Sequence, residues 1–299
     1  MKHVVSVSLG SRTRDKTVEI ELGGQRMMLE RRGTDGDEKV ARALFRDLDG
    51  TVDVLGVGGV ELYLRVAGRE HPLRSGIKMV ADVKTTPVVD GRGLKHTLER
   101  RVFELAGRQM GGVPRYSRAF MNTGCDRYGM AEALTEVCDE VVFGDLMFAL
   151  SLPMPIRSLR TLRRTARLTL PVVGRFPISM LYPTGHEQVT IEPKFSKQFG
   201  AADIIAGDFL YIRKHAPLDL AGKDVLTNTT TQADVDLLRS RGVRWLITTT
   251  PRFDGRSFGT NLTEAALTAH AGAKVPLDTE ALNALIDELG IAPSVERLN

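Results

Sequence analysis

The sequence of 299 residues is poor in cysteine and histidine, and both shortages exclude classes of protein. The two cysteines, Cys125 and Cys138, are too few for a disulfide scaffold and match no paired metal-ligand pattern. The six histidines also lack the spacing of metal ligands. We therefore expect a protein from a reducing compartment that holds no structural metal ion.

Long apolar runs and a strong net charge are also missing. Charged residues soon interrupt the apolar run of the N-terminal segment MKHVVSVSLGSRTRD, which is typical of neither a signal peptide nor a membrane span. We therefore expect a cytoplasmic protein with no membrane partner. The formal charge of +4 is modest and does not favour a nucleic-acid-binding protein. It is compatible with a site for a small anionic metabolite and with a homo-oligomer.

Short β-branched runs, many of them followed by a helical pattern, predict an α/β fold with mainly parallel, Rossmann-like sheets and flanking helices. Apolar runs without alternation suit strands that are covered on both faces. Two alternating segments flank Gly23-Gly24 and predict an antiparallel hairpin near the N-terminus. The predicted strands are 4–8, 17–22, 26–31, 52–57, 61–66, 86–91, 119–124, 140–145, 178–182, 203–208, 224–229 and 244–250.

Helical periodicity predicts helices whose first residues carry capping signals. Thr231-x-x-Asp234 and Asn261-x-x-Glu264 have the pattern of capping boxes. The predicted helices are 37–48, 76–83, 94–110, 127–137, 231–240, 261–271 and 279–289. Because the strands exceed one simple Rossmann unit, we predict two lobes. They are an N-terminal α/β lobe (1–150) and a C-terminal Rossmann-like lobe (178–299), joined by a basic segment (151–177).

Polar residues collect where the predicted strands end. Ligands bind beyond the carboxyl ends of the strands in open parallel sheets, so these turns are candidate sites. Each turn taken alone is also explained by the preference of Gly, Asn, Asp and Thr for turns and caps. From these ends we predict substrate-binding residues Asn122, Thr123, Arg127, Thr249 and Thr250, and cofactor-binding residues Asn228 and Thr229.

The stretch ITTTPRFDGRSFGTNLTEAAL (247–267) concentrates hydrogen-bonding groups between an apolar run and an alanine-rich helix. Free N–H groups and the helix dipole make such a helix start attractive to an anion. A guanidinium group can clamp phosphate or carboxylate, and a glycine permits close approach of the backbone. We predict a cofactor-binding loop, with plain helix capping as the alternative. Its residues are Arg256, Ser257, Gly259, Thr260 and Asn261.

Candidates for proton transfer lie in three of these turns. Asp126 is placed to act as a base or to orient a substrate hydroxyl beside Arg127. Asp90 and Lys95 are candidates for an acid/base pair across a strand–helix turn, the alternative being charges that face water. Asp208 is a further carboxylate, as a base or a magnesium ligand.

Cys125, in the same turn as Asp126, is either a nucleophile activated by a helix N-terminus or a small buried thiol. The absence of a histidine nearby in the sequence favours the buried thiol.

The segment PIRSLRTLRRTARLTL (155–170) carries five arginines, four of them at helical spacing opposite apolar residues. It is suited to nucleic acid, to an acidic membrane surface or to the rim of an anion site, and the alternative is a solvated face paired with local acids. The helix offers no aromatic side chain for stacking on bases, which weakens the nucleic-acid interpretation.

The blocks VVDGRGLKHTLERR, DRYGMAEAL, IIAGDF, LTNTTT and ITTTPRFDGRSFGTN resemble a bacterial family commonly labelled quinate 5-dehydrogenase. The resemblance covers nearly the whole chain. It implies NAD- or NADP-dependent oxidation of a hydroxylated cyclic carboxylate, related to shikimate dehydrogenase chemistry. Gly56, Gly58 and Gly59 match glycines of the family's cofactor loop, with Val60 in place of its alanine. Without a third glycine further on, they form an incomplete dinucleotide fingerprint.

Two other functions fit the same residues. One is a transferase or hydrolase acting on a phosphorylated small molecule, with Asp208 as base or magnesium ligand. The other is a non-catalytic protein whose loops bind a metabolite. Cofactor binding, magnesium-dependent turnover and tight binding without turnover distinguish the three hypotheses.

Overall fold

A computed structural model describes residues 1–176, 191–253 and 256–299, without the side chains of Phe253 and Arg256, and the predicted strand 178–182 lies outside these residues. The strands of the described residues are β1 (Lys2–Ser8), β2 (Lys16–Leu22), β3 (Gln25–Gly33), β4 (Val54–Gly58), β5 (Tyr63–Val66), β6 (Arg69–Pro72), β7 (Val88–Val89), β8 (Tyr116–Met121), β9 (Cys138–Phe143), β10 (Ile204–Gly207), β11 (Asp224–Thr227), β12 (Trp245–Thr248), β13 (Arg252–Phe253), β14 (Arg256–Ser257) and β15 (Ser294–Arg297). The helices are α1 (Glu38–Leu48), α2 (Arg74–Met79), α3 (Arg92–His96), α4 (Val102–Met110), α5 (Tyr128–Val137), α6 (Asp145–Ala149), α7 (Leu159–Val173), α8 (Ser196–Ala201), α9 (Phe209–His215), α10 (Gln232–Ser240), α11 (Thr260–His270) and α12 (Thr279–Glu288).

The chain forms two compact units, each assembled from separate segments. Unit 1 comprises Met1–Leu94, Thr169–Glu187 and Gly259–Ile291, and unit 2 comprises Lys95–Leu168, Gln188–Phe258 and Ala292–Asn299. This division differs from the predicted lobes 1–150 and 178–299. The reason is that β8, from the first predicted lobe, pairs in parallel with β10, from the second. The predicted α/β class with mostly parallel sheets is confirmed.

Unit 1 contains a sheet of five strands in the order β2-β3-β1-β4-β7. β1 pairs in parallel with β3 and β4, and β4 pairs in parallel with β7. β2 and β3 form the predicted antiparallel hairpin, in which Leu22 pairs with Gln25 across the two glycines. A separate antiparallel pair, β5 and β6, confirms the alternating strand predicted near residue 61. The core beneath the sheet is built on Val5, Val7, Phe45 and Leu55, all buried.

Unit 2 contains a sheet of six strands in the order β15-β12-β11-β10-β8-β9. All neighbours from β12 to β9 are parallel, and only the edge strand β15 is antiparallel, to β12. β15 was not predicted because its sequence, SVER, is short and polar and its residues are mostly half-buried. The core of unit 2 includes Phe120, Phe199, Ile205 and Val225.

Two predicted helix features are wrong. The predicted helix 94–110 is two helices, α3 and α4, and the residues between them include the fully buried Leu98 and Glu99. The predicted capping box at Asn261 is absent: the N-cap of α11 is Gly259, and no side chain caps it. Glu264 instead accepts a hydrogen bond from the backbone N–H of Leu94 at 3.1 Å. The second predicted box, Thr231 with Asp234, is confirmed at the start of α10.

Candidate functional site

The strand order of unit 2 places a switch point between β8 and β10. From β8 the chain continues to β9 on one side, whereas β10, β11 and β12 follow one another on the other side. At such a point the connections leave the sheet in opposite directions, and the carboxyl ends of the two strands border a crevice where ligands bind. Each strand end carries a polar residue. They are Asn122 after β8, Asp145 after β9, Asp208 after β10, Asn228 after β11 and Thr249 after β12.

Asn122 and Asp208 connect the two sides of the switch point directly. The side-chain amide of Asn122 donates to the carbonyl of Asp208 at 2.9 Å, and its Oδ1 accepts from the backbone N–H of Asp208 at 3.1 Å. Asn122 is fully buried, so these bonds are shielded from water. Gly207 has φ of +121°, and a Cβ there would lie 2.0 Å from Asn122 Oδ1. The glycine is therefore what lets Asn122 approach the end of β10.

Asp208 is the meeting point of several groups. Its Oδ1 accepts from the backbone N–H of Leu210 and caps α9, and its Oδ2 accepts from the Asn228 amide at 2.8 Å. A guanidinium nitrogen of Arg127 lies 3.5 Å from the same Oδ2. The Asp208 side chain keeps about a fifth of its surface exposed, at 21%. It is thus a fixed carboxylate that solvent and small solutes can still reach.

Behind Asp208 lies a buried group of charges from the segment Lys95–Arg127. Lys95 donates to Asp126 Oδ1 at 3.0 Å, and Arg127 donates to Glu99 and lies 3.7 Å from Asp126. The exposed fractions are 5% for the Lys95 and Arg127 side chains and 0% for Glu99. We call Lys95, Glu99, Asp126, Arg127 and Asp208 the charged cluster. It unites four residues predicted as separate site candidates with Glu99, which was not predicted.

Burial controls the proton affinities within the charged cluster. Burial lowers the pKa of Lys95, although Asp126 opposes it, and burial raises the pKa of Glu99, although Arg127 opposes it. Burial also acts to raise the pKa of Asp126, but Lys95 and Arg127 outweigh it and hold that pKa below its ordinary value. A lysine of lowered pKa hydrogen-bonded to an ionised aspartate is chemically able to exchange a proton with a bound hydroxyl group.

Asp145 and Tyr211 are site residues that the sequence did not reveal. Asp145 accepts from the backbone N–H groups of Gly124 at 3.0 Å and Cys125 at 2.8 Å, which fixes the turn that presents Asp126. Burial raises the pKa of Tyr211 well above its ordinary value, and the negative charges of Asp208 and Asp126 act in the same direction. Asp145 is the last residue of the predicted strand 140–145, whereas the observed strand ends at Phe143, so the predicted boundary hid Asp145 from the strand-end rule. Tyr211 lies inside α9, where that rule does not apply.

The remaining residues predicted at strand ends serve local structure. Thr123 donates to Asn122 Oδ1 at 3.0 Å, and Thr249 donates to Glu99 at 3.3 Å beneath the charged cluster. Thr250 is fully buried and donates to the carbonyl of Phe258 at 2.5 Å. Thr229 is half-buried. The Thr250 hydroxyl also lies 3.3 Å from the carbonyl of Asn228. Of these four residues, Thr123, Thr249 and Thr250 therefore contact members of the site.

The predicted cofactor loop 256–261 is divided between the two units after Phe258. In unit 2, Ser257 is buried and its hydroxyl accepts from Thr230 N–H at 2.8 Å. In unit 1, Asn261 donates to Ser6 Oγ at 2.5 Å, and the backbone of Gly259 and Thr260 starts α11. Asp254, Gly255 and the Arg256 side chain lie outside the described residues, so the predicted anion clamp stays a prediction.

The predicted glycine turn in unit 1 has a packing role in the structure. Gly56 and Gly58 lie within β4, and only Gly59 lies in the turn that follows. A Cβ at Gly56 would lie 3.2 Å from the carbonyl of Asn261, and one at Gly58 would lie 3.1 Å from the Asn261 amide. Because Gly56 and Gly58 have no side chains, α11 packs closely against the sheet.

Asp90 also has a structural role that accounts for its position. Its Oδ2 accepts from the backbone N–H of Leu62 at 2.9 Å, and its Oδ1 accepts from that of Arg92 at 3.2 Å. Lys95 belongs to unit 2, where it pairs with Asp126, and its predicted pairing with Asp90 stays a prediction.

Cys125 is not activated as a nucleophile. Burial raises the pKa of its thiol well above the ordinary range, and the neighbouring Asp145 acts in the same direction. A thiol held protonated at neutral pH is a poor nucleophile. Cys125 is half-buried, and its surroundings favour the interpretation as a structural thiol over that as a nucleophile.

Within the described residues, no three side chains of the His, Cys, Asp and Glu types lie together as a metal-binding group. Within the same part of the chain, no helix combines the length and the apolar composition needed to cross a bilayer.

The fold and this site define the protein as an α/β protein with a charged cluster at the switch point of a mostly parallel sheet. The chain belongs to the family described as "Domain of unknown function (DUF8754)", whose model matches residues 93–298, more than half of the chain. A second model, "Domain of unknown function (DUF8753)", matches residues 3–90. These descriptions do not bear on the resemblance to the quinate 5-dehydrogenase family. A comparison with the curated proteins finds no match.

Solved structures with a distant likeness include sugar-binding proteins. A galactofuranose binding protein is 10% identical, with 97% of this chain and 99% of that chain covered and a TM-score of 0.33. An ABC transporter solute binding protein from Agrobacterium vitis, bound with α-D-tagatopyranose, is 9% identical, with the same coverage and TM-score. A protein from Mycobacterium smegmatis in complex with β-D-fucofuranose is 10% identical, with 99% of each chain covered and a TM-score of 0.30.

At these TM-scores the likeness assigns neither fold details nor a ligand to this chain. None of the three proteins is named as an oxidoreductase, and the comparison contradicts the predicted dehydrogenase of quinate or shikimate type. That function and its oxidoreductase chemistry are withdrawn.

Proposed function

We propose that this protein binds a small, uncharged, hydroxyl-rich metabolite at the carboxyl edge of the unit 2 sheet. The observation that carries the proposal is the convergence of the charged cluster and two asparagines on the switch point between β8 and β10. Carboxylates there accept from hydroxyl groups, and the guanidinium and ammonium groups donate to them. A ligand whose groups both donate and accept makes use of both kinds of partner.

The balance of charges favours an uncharged ligand over the anion predicted from the sequence. The charged cluster contains two cations, Lys95 and Arg127, and three acids, Glu99, Asp126 and Asp208. Each cation already faces a carboxylate within 4 Å. A phosphate or carboxylate entering this site would meet more negative than positive charge, and like charges at close range repel strongly where water is excluded.

Two buried polar atoms of the charged cluster lack a hydrogen-bond partner among the described residues. They are Oε2 of Glu99, an acceptor, and Nε of Arg127, a donor. An unsatisfied buried group costs about 1–3 kcal/mol. A polar ligand or water that reaches them would recover part of this cost, which favours binding at this place over other strand ends.

The proteins named above are described with sugars, and the proposal concerns the same class of ligand. Its support is the geometry of unit 2, since those likenesses are too distant to carry a ligand across. The proposal concerns binding, and it is the third of the hypotheses that the sequence left open.

Isothermal titration calorimetry against a matched ligand panel tests the proposal. The panel contains neutral sugars and polyols, the corresponding sugar acids, and sugar phosphates with and without magnesium. We expect a neutral member to bind, and its oxidised or phosphorylated form to bind more weakly. Binding of only the acids or phosphates would overturn the proposal. Failure of every compound in the panel to bind would overturn it too.

Asp208→Asn is the informative variant, because asparagine is also a good N-cap and keeps α9 capped. We expect it to weaken ligand binding about tenfold or more, the effect of losing a hydrogen bond to a charged group. Asp224→Asn is the matched control. Asp224 starts β11, at the opposite end of the strands, and accepts from Arg244 and Tyr116. Equal loss of affinity in both variants would remove the switch point from the binding site.

A further inference from the structure

Residues 150–168 of unit 2 present a basic and apolar surface that the proposed metabolite site does not use. Between residues 151 and 168 the chain contains five arginines and no acidic residue. Four large apolar side chains are exposed in the same part of unit 2. Their exposed fractions are 41% for Leu150, 43% for Leu152, 58% for Met154 and 77% for Leu168.

Helix α7 orders this surface by its periodicity. Leu162 and Ala166 are buried and pack the helix onto the protein. Arg160, Arg164 and Arg167 are exposed on the outward side. Residues four apart lie on one face of a helix, so Leu168 stands beside Arg164. The outward face therefore combines a line of guanidinium groups with an apolar side chain.

The arginines of this face differ in how they are paired. Arg157 donates to Glu140 at 2.6 Å, and Arg163 donates to the Tyr128 hydroxyl and lies 3.4 Å from Glu132. Arg160, Arg164 and Arg167 have no ion-pair partner in the part of the chain that the structure describes. Their charge is therefore uncompensated there. The alternative from the sequence, an arginine face paired with local acids, does not describe these three residues.

We propose that this surface, formed by residues 150–168, docks on an anionic lipid bilayer. Exposed arginines gain free energy near anionic headgroups, and exposed Leu and Met side chains gain it by leaving water for the acyl boundary. A nucleic acid offers the same negative charge. However, it offers no apolar layer for Leu168, and this helix provides no aromatic side chain to stack on bases. The apolar component therefore favours the membrane.

Vesicle co-sedimentation of the full chain tests this surface. The vesicles are pure phosphatidylcholine, or an equal mixture of phosphatidylcholine and phosphatidylglycerol, at low salt. We expect the protein to pellet with the anionic vesicles only. Arg164→Gln with Arg167→Gln should weaken partitioning about 25-fold, since each arginine near such a surface contributes about fivefold.

The apolar part is tested by Leu168→Ser, which should weaken partitioning by about tenfold through the loss of buried apolar area. Leu218→Ser is the matched control, because Leu218 is also in unit 2 and is 68% exposed. It should leave partitioning unchanged. Absence of binding to anionic vesicles overturns the proposal. Weaker partitioning of the arginine variant together with unchanged partitioning of Leu168→Ser also overturns the proposal. The surface would then be a purely electrostatic site for a soluble polyanion such as RNA.

Discussion

Arg127 and Glu99 form an ion pair from which water is almost wholly excluded: their side chains are 5% and 0% exposed. Removal of one partner from such a pair leaves an uncompensated charge in the interior, which is far more costly than the loss of a surface pair. The pair also holds the two segments of the charged cluster together, because Arg127 follows β8 and Glu99 lies between α3 and α4.

Arg127→Met is therefore expected to lower the free energy of unfolding by about 3–5 kcal/mol. Urea denaturation followed by circular dichroism measures this change. Combining it with Glu99→Gln should recover part of the loss, since the unpaired carboxylate is then gone.

Arg118→Met is the control, because Arg118 pairs with Glu140 near the surface, where their side chains are 46% and 31% exposed. It should cost less than about 1 kcal/mol. Equal costs for Arg127 and Arg118 would show that burial of the pair is energetically irrelevant.

Gly207→Ala should disrupt the switch point. Its φ of +121° is strained for a residue with a Cβ, and that Cβ would collide with Asn122 Oδ1. We expect a destabilisation of more than about 2 kcal/mol in thermal or chemical unfolding. Gly222→Ala is the control: Gly222 also has positive φ, at +72°, but a Cβ added there would meet no atom within 4 Å. It should cost only about 1 kcal/mol. A smaller effect at Gly207 than at Gly222 would contradict the close approach of Asn122.

Glu264 should make the protein less stable as pH rises. Burial, reinforced by Asp90, raises the pKa of this α11 carboxyl to about 8 from an ordinary 4.5. Between these values the folded state keeps the proton and the unfolded state does not, so stability is greatest below the lower value. The free energy of unfolding then falls by at most about 1.4 kcal/mol per pH unit until the pH reaches about 8.

Denaturation curves between pH 5 and 8 measure this slope, and Glu264→Gln should reduce it, because glutamine does not ionise. Glu280→Gln changes an exposed glutamate of α12 and serves as the control. A slope that persists in Glu264→Gln would assign the pH dependence to other groups.

Asp49 should anchor the turn before β7. Its carboxylate accepts from the backbone N–H groups of Lys84 at 2.7 Å, Thr85 at 3.0 Å and Thr86 at 2.8 Å. Although burial opposes it, these bonds hold the pKa of Asp49 well below its ordinary value. The stabilisation is therefore present at neutral pH and is lost only in strong acid.

Asp49→Ala is expected to cost about 1–3 kcal/mol, because it leaves three donors without their acceptor. Hydrogen exchange of the Lys84–Thr86 amides should accelerate in step with the loss of stability. Asp47→Ala, two residues away with a side chain 60% exposed, should change neither quantity. Unchanged exchange in Asp49→Ala would contradict the anchoring role.

Much of the α/β architecture follows from the sequence alone, because local rules fix it. The hairpin at Gly23-Gly24 follows from alternation around a turn dipeptide, and the start of α10 follows from Thr231 and Asp234. The strand-end rule found Asn122, Asp208 and Asn228, since the carboxyl ends of parallel strands share one edge wherever they stand in the chain.

Tertiary structure alone decided how the segments divide and which polar residues meet. The boundary predicted near residue 150 fails because β8 pairs with β10 across some eighty intervening residues, and no local pattern encodes that pairing. For the same reason no local pattern pairs Lys95 with Asp126, which lies 31 residues further along the chain. Burial decided the rest: Glu99 looks like a solvated helix charge in sequence, and only its enclosure beside Arg127 makes it part of a site.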